Sequence, residues 1–155
     1  MRFISSYRAG TRRQGGFTLL EAMISLVILS VGMLGIAALY VEGLRAGRTA
    51  VYRTVAVALA SDMMDRIRAN RNAANAYAGA SANNNCTNGV NCDPSEMAAD
   101  DIRLWEAQVA QQLPMGADTS ILFQALGAVN QYTITVSWPE AGYEEDLSYV
   151  LIARM

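Results

Sequence analysis

The chain contains no histidine and no lysine. Without histidine, Ser-His-Asp triads, Cys-His pairs and His-ligated zinc are all excluded. The two cysteines, Cys86 and Cys92, are too few for a structural zinc site of the usual four-ligand kind. We therefore predict no metal, no cofactor and no enzymatic activity.

The charged residues are divided unevenly along the chain. All 12 basic residues are arginines, and four of them precede Gly16, where there is no acidic residue: Arg2, Arg8, Arg12 and Arg13. From Phe17 onward, 8 arginines face 14 acidic residues, a formal net charge of −6. A basic amino-terminal segment followed by an acidic remainder favours membrane targeting and argues against a nucleic-acid partner.

A long apolar run follows the basic segment. Residues 17–41 are 25 residues with a single charge, Glu21, and about 20 apolar residues suffice to cross a bilayer. Because the arginines precede the run, we expect the amino end to stay cytoplasmic and the carboxyl end to lie outside. Tyr40 stands where an interfacial aromatic residue is expected.

Two simpler interpretations of this run are a secretory signal peptide and a plain membrane anchor. A signal peptide has a shorter apolar region, about 7–15 residues, with a small-residue cleavage site after it. A plain anchor gains nothing from Glu21, since an ionisable group at the centre of a span costs about 2.5–3.5 kcal/mol on insertion scales, and less near its end. Glu21 is therefore a candidate functional residue.

The junction from Gln14 to Glu21, Gln-Gly-Gly-Phe-Thr-Leu-Leu-Glu, resembles the type IV pilin superfamily. Precursors of that family carry a short basic leader ending in Gly, then Phe-Thr-Leu and a Glu before an apolar helix. The resemblance implies that a membrane-embedded aspartyl prepilin peptidase cuts between Gly16 and Phe17 and methylates the new amine of Phe17.

The physics of that arrangement gives Glu21 an assembly role. Phe17 would carry a new ammonium in apolar surroundings, and Glu21 lies one helical turn further on. At about 4 Å and an effective dielectric constant near 20, such a pair attracts by about 4 kcal/mol before desolvation is subtracted. Stacked helices with a fixed offset would place each ammonium beside a neighbouring carboxylate, so that Glu21 sets their register.

The remaining pattern predicts an α+β head. An amphipathic stretch extends the first helix to about residue 70, with one face formed by Leu44, Val51, Val55, Leu59, Met63 and Ile67. Residues 70–92 are predicted to form an exposed loop. A second helix starts at Asp93-Pro94-Ser95-Glu96, with Trp105 in the core, and strands are expected at 120–126, 132–138 and 147–154. The strands should form a small antiparallel sheet packed on the exposed half of the long helix.

Two smaller features leave alternatives open. In an extracytoplasmic domain, Cys86 and Cys92 would close a small disulfide loop; the alternative is two free thiols. An acidic cluster between the last two strands is either a solvated turn, the interpretation that we favour, or an oxygen-rich calcium loop: Glu140, Glu144, Glu145 and Asp146.

Beyond the leader, the head resembles the pilus modification proteins, a class of minor pilins termed PilV. That resemblance rests on the run from Ala60 to Asn70, the Asn-rich loop with paired cysteines, and the closing Tyr-x-Ile-x-Val-x-Trp strand. It implies a minor pilin that acts in pilus assembly or initiation with prepilin peptidase, other minor pilins, the major pilin and the inner-membrane assembly platform. The expected location is the inner membrane with a periplasmic head, then the pilus.

The expected organisation is a cleaved leader at 1–16, a membrane and assembly helix at 17–41, and a pilin-like head at 42–155. A minor pseudopilin of a type II secretion system would share the leader, Phe17 and Glu21, and is the alternative function. A membrane-anchored periplasmic enzyme is a more distant one.

Overall fold

The computed structural model describes residues 16–88 and 90–155, so that all but the last residue of the predicted leader lies outside the described residues. Contacts divide the chain into two units, one ending at Leu44 and one formed by Arg45–Met155. The elements in chain order are the helix α1 (Leu19–Ala69), two short 3-10 segments (Arg71–Ala78 and Cys86–Asn88), the helix α2 (Pro94–Gln112), and the strands β1 (Asp118–Leu126), β2 (Val129–Trp138) and β3 (Leu147–Arg154). The α+β fold predicted from the sequence is confirmed.

The start of α2 follows from its first four residues. The Asp93 carboxylate accepts the backbone N–H groups of Ser95 and Glu96, each at 2.8 Å, and Glu96 accepts the Asp93 N–H at 3.0 Å. These reciprocal bonds form a capping box, with Pro94 at the first helical position. The predicted helix start is confirmed.

The three strands form one antiparallel sheet in the order β1-β2-β3. The alternation on β2 places four large side chains in the core: Tyr132, Ile134, Val136 and Trp138. β2 begins three residues before its predicted range, because the tight turn at Gly127 (φ +69°) lets the ladder continue to Leu126 and Val129. β1 begins two residues before its predicted range, where Asp118 pairs with Ser137.

Part of the predicted buried face of α1 is wrong. Leu59, Met63 and Ile67 are buried, but Leu44 and Val51 are 72% and 59% exposed. A repeat of four residues drifts around a helix with 3.6 residues per turn, so its early members leave the face that its late members share. The buried stripe instead mixes steps of three and four and uses small residues: Ala56, Leu59, Ala60, Met63, Met64 and Ile67.

The stretch predicted to be an exposed loop is partly ordered and partly buried. Within Arg71–Ala78, Ala73 and Tyr77 lie in the core. The Tyr132 hydroxyl donates to the Ala74 carbonyl oxygen at 2.9 Å, and the Tyr77 hydroxyl bonds to α1 and α2. The burial of Tyr77 could not be predicted, because this stretch has neither a helical nor a strand period.

Candidate processing and assembly site

The predicted cleavage junction lies just before the first turn of α1. The Thr18 hydroxyl accepts the backbone N–H of Glu21 at 3.2 Å, and the Thr18 carbonyl oxygen accepts the N–H of Ala22, also at 3.2 Å. Thr18 is therefore the N-cap of α1. Gly16 and Phe17 lie outside the helix, and Phe17 is 79% exposed.

Glu21 occupies the first turn of α1 and its side chain is exposed. An acidic side chain is favourable there, because the unpaired N–H groups of a helix start carry partial positive charge. Glu21 follows Phe17 by four residues, the spacing at which two residues share one helix face if the helix continues. The structure places Glu21 in the first turn of α1 and Phe17 two residues before the helix begins.

The surface that follows this turn is apolar and exposed. α1 is long and apolar enough to cross a membrane, although core helices and signal sequences can be equally long and apolar. The most apolar 18-residue stretch of α1 has no buried residue. Side chains such as Leu19, Ile28, Leu34 and Leu39 are each more than 65% exposed. Within residues 16–88 and 90–155 this surface stays exposed, and extended exposed apolar surfaces mark sites of contact with a membrane or with another chain.

The two cysteines form a disulfide, with their Cα atoms 5.7 Å apart. The segment before the loop is fixed to α2 by a backbone bond from Ala82 N to Ala99 O, 3.0 Å, and by the Asn84 side-chain amide, which donates to Glu96 O at 2.8 Å. The disulfide and these two bonds together hold the loop against the first half of α2.

A buried carboxylate on α2, which the sequence did not single out, faces the same loop. The Asp100 side chain is 1% exposed, and its Oδ1 accepts Arg103 Nη2 at 2.8 Å and Nε at 3.2 Å. The hydrogen bonds from Arg103 lower the pKa of Asp100 against the opposing effect of burial, and the backbone groups of Asn84 and Cys86 lower it further. The three-residue spacing of Asp100 and Arg103 was the available signal.

A second polar cluster joins α1, α2 and the 3-10 segment Arg71–Ala78. The Tyr77 hydroxyl donates to Asp101 Oδ2 at 2.7 Å, and Arg66 Nη1 donates to Asp101 Oδ1 at 3.1 Å. Burial, followed by the bond to Asp101, raises the pKa of Tyr77 well above its usual range, so this phenol stays protonated. Burial lowers the pKa of Arg66, but its bonds to Asp62 and Asp101 outweigh that effect and leave it raised. Arg66 Nε also donates to Asp62 Oδ2, one helical turn earlier on α1, at 2.9 Å.

The acidic cluster between β2 and β3 differs from the solvated turn that we favoured. Glu140 is buried, and its Oε1 accepts Arg48 Nη2 at 2.7 Å and Nε at 3.1 Å. Glu144, Glu145 and Asp146 are exposed, as expected. Among residues 16–88 and 90–155, no group of acidic, Cys or His residues has a geometry that could hold a metal ion. The alternation of the strand past Trp138 turns Glu140 inward, and only the fold supplies Arg48.

One open groove of about 450 Å³ in the head has a mainly apolar lining with four polar residues, Arg66, Asn70, Asp93 and Asp101. The charged groups in it are already engaged: Asp93 caps α2, and Arg66 and Asp101 bond to each other. These groups hold elements of the head together.

Two family models match the chain in adjacent segments. Residues 11–37 match the prokaryotic N-terminal methylation motif, and residues 38–103 match the family described as type IV pilin Tt1218. No curated protein and no solved structure matched. The methylation motif contains the junction at Gly16 and Phe17, and the second match extends through most of α1 into α2. With its apolar first helix, second helix and three-stranded antiparallel sheet, the chain belongs to the type IV pilins, a structural family whose members are processed by prepilin peptidase and assemble with other pilins.

Proposed function

We propose that this protein is a minor pilin that takes part in type IV pilus assembly or initiation. Its leader is removed between Gly16 and Phe17, Phe17 is methylated, and α1 carries the subunit into the filament. The observation that carries the proposal is the position of the junction, directly before a long helix whose apolar first half is exposed. The domain boundaries follow: leader 1–16, assembly helix 17–41 and head 42–155.

The minor class is supported by the cysteines. They close a small loop in the middle of the chain, whereas a disulfide nearer the carboxyl terminus, enclosing a longer segment, is usual in a major pilin. A disulfide also fits a head in an oxidising compartment, with the four leader arginines keeping the amino end in the cytoplasm. The subunit would await assembly in the inner membrane and then move to the pilus.

Glu21 gives the mature amino terminus a partner. A Phe17 ammonium at a helix start faces the positive end of the helix dipole, which is unfavourable. A carboxylate one turn away offsets that repulsion within the chain, and a carboxylate on a neighbouring subunit offsets it between chains. The second arrangement fixes the axial offset of the two helices.

Processing is tested by intact mass and by labelling of amines. Because the chain has no lysine, its terminal amine is the single aliphatic amine that a labelling reagent can reach, and methylation converts that amine from primary to secondary. We expect a mature chain that begins at Phe17 and is one methylene heavier than the unmodified sequence. A mature chain that begins at Met1, or one cut near residue 40, would contradict the proposal.

Assembly is tested by Glu21→Ala, with Glu42→Ala as the matched control on the same helix. Removing one partner of a buried ion pair costs about 3–5 kcal/mol, so we expect incorporation into sheared filaments to fall by more than about a hundredfold. Cleavage and the amount of protein in the membrane should stay at the wild-type level. Normal incorporation of the cleaved Glu21→Ala protein would rule out the assembly role.

The alternative, a minor pseudopilin of a type II secretion system, shares every feature of the junction. A deletion strain separates the two functions. Loss of surface pili or twitching with normal exoprotein secretion supports the pilus. Loss of secretion with normal pili assigns the subunit to the pseudopilus.

A further inference from the structure

The helix start at Thr18 determines which peptide bonds lie inside α1. The first helical backbone bond runs from Ala22 N to Thr18 O, and the Thr18 hydroxyl satisfies the N–H of Glu21. The carbonyl groups of Gly16 and Phe17 therefore lie upstream of the helical ladder. A Cβ at Gly16 would meet nothing within 4 Å, so the chain itself leaves this position open.

Among the described residues at this end of the helix, Thr18 is the one whose short hydroxyl caps the first turn. Leu19, Leu20 and Glu21 have no suitable short acceptor, whereas glycine upstream is tolerated as a cap. Unpaired backbone N–H groups are costly in apolar surroundings. If the Thr18 hydroxyl were removed, the helix would therefore extend upstream to a cap at Gly16 rather than fray. The Gly16 carbonyl would then accept the N–H of Leu20 and enter the first turn.

We propose that Thr18 is a positioning residue for leader removal, an inference that rests on the processing step proposed above. Its hydroxyl ends α1 one residue after the scissile bond and so keeps the Gly16 carbonyl available to the peptidase. In the hydrolysis, one water adds to the Gly16 carbonyl carbon and the bond to Phe17 nitrogen breaks. Gly16 leaves as a carboxylate, and the Phe17 nitrogen takes up both protons of the water and becomes an ammonium. A carbonyl held in a helical turn is shielded from that attack on one side by the winding of the chain.

The test uses the full-length precursor in lipid vesicles with its cognate prepilin peptidase. Thr18→Val keeps the shape and branching of the side chain and removes the acceptor, whereas Thr18→Ser and Thr18→Asn keep an acceptor. Cleavage rate is measured by intact mass as a function of substrate concentration. The ¹³C carbonyl shift of a labelled Gly16, measured before peptidase is added, reports whether that residue is helical.

We expect Thr18→Val to be cut about three- to tenfold more slowly than the wild type, the range that follows from loss of an N-cap. Its Gly16 shift should move toward helical values, and Thr18→Ser and Thr18→Asn should restore both the rate and the shift. The proposal is overturned if Thr18→Val is cut at the wild-type rate, or if it is slow while Gly16 stays non-helical. The latter result would mean that the hydroxyl contacts the peptidase directly.

Failure of the proposed function gives a different result. If the wild-type precursor is not cut between Gly16 and Phe17 at all, the processing step itself is wrong. If the wild type is cut there and the three variants do not differ, only the role of Thr18 is wrong.

Discussion

The unit that ends at Leu44 and the unit Arg45–Met155 treat apolar side chains in opposite ways. Ile28, in the first unit, is 67% exposed, whereas Ile67, on the same helix but in the second unit, is 1% exposed. The two side chains are chemically identical and both belong to α1. Apolar composition therefore dictates that a side chain must leave water, while the surrounding fold decides whether its own chain, a lipid or a neighbouring subunit covers it.

The two units also differ in how their charged residues are paired. In the head, charged side chains bond across elements, as Arg48 does to Glu140 and Arg66 to Asp101. In the first unit, Glu21 is the single charged residue between Phe17 and Val41. The head thus pairs its buried carboxylates with its own arginines. We propose that Glu21 of the apolar helix is paired with the terminal amine of the same or another subunit.

The largest effect on folding should come from replacing one isoleucine in each unit by aspartate. Ile134 is fully buried in the head, so Ile134→Asp places an unpaired charge in the core and should abolish cooperative folding. Ile28→Asp should leave the head folded and weaken membrane insertion by about 2.5–3.5 kcal/mol. Because both tryptophans, Trp105 and Trp138, are buried in the head, tryptophan fluorescence in detergent follows head unfolding, and alkaline extraction of membranes follows insertion. Unfolding of the head by Ile28→Asp would break the division into two regions.

A smaller effect is expected from the disulfide. Replacing both Cys86 and Cys92 by serine removes a short cross-link, which lowers the free energy of unfolding by about 2 kcal/mol in the chain-entropy model. Urea denaturation followed by tryptophan fluorescence measures this change. The double variant should insert into membranes and be cleaved as the wild type is. A double variant with defective cleavage would show that the head and the junction are coupled.

The smallest effect is the pH dependence that Asp100 contributes. The pKa of Asp100 is lower in the folded head than its ordinary value of 3.8, so the unfolded chain binds more protons. The stabilisation is therefore complete above about pH 5 and is lost as the pH falls through about 4 toward the folded pKa. In Asp100→Asn this part of the acid destabilisation should be missing. Urea midpoints measured between about pH 6 and pH 3 give the comparison, and parallel curves for the two proteins would contradict the assigned role of Asp100.

Regular patterns in the sequence were sufficient for most elements of the head. The period of two from Tyr132 to Trp138 and the capping box at Asp93 predicted β2 and the start of α2, because both signals are local. The position of Glu140 was not predictable in this way. Its burial depends on Arg48, 92 residues away along the chain.

The residues of the candidate site show the same difference between local signals and contacts that depend on the fold. Gly16, Phe17 and Glu21 were identified from a contiguous string, and the structure adds the cap by Thr18, which the string contained but which mattered only once the start of α1 was known. Tyr77 was missed because its partners lie in other elements, whereas Asp100 has its arginine partner three residues away and only its burial depended on the fold. A residue whose partner is near in sequence can be predicted, and one whose partner is distant cannot.

Length, periodicity and charge are local properties of the chain, and they were enough to predict an apolar amino-terminal helix with one acid near its start and a small α+β head. Tertiary structure alone decided where along α1 exposure changes to burial. It also decided that a stretch without periodicity is fastened by Tyr77, and that one member of an acidic turn is buried against an arginine. These outcomes depend on which surfaces meet in space, and the free energy of burying a group is set by what surrounds it.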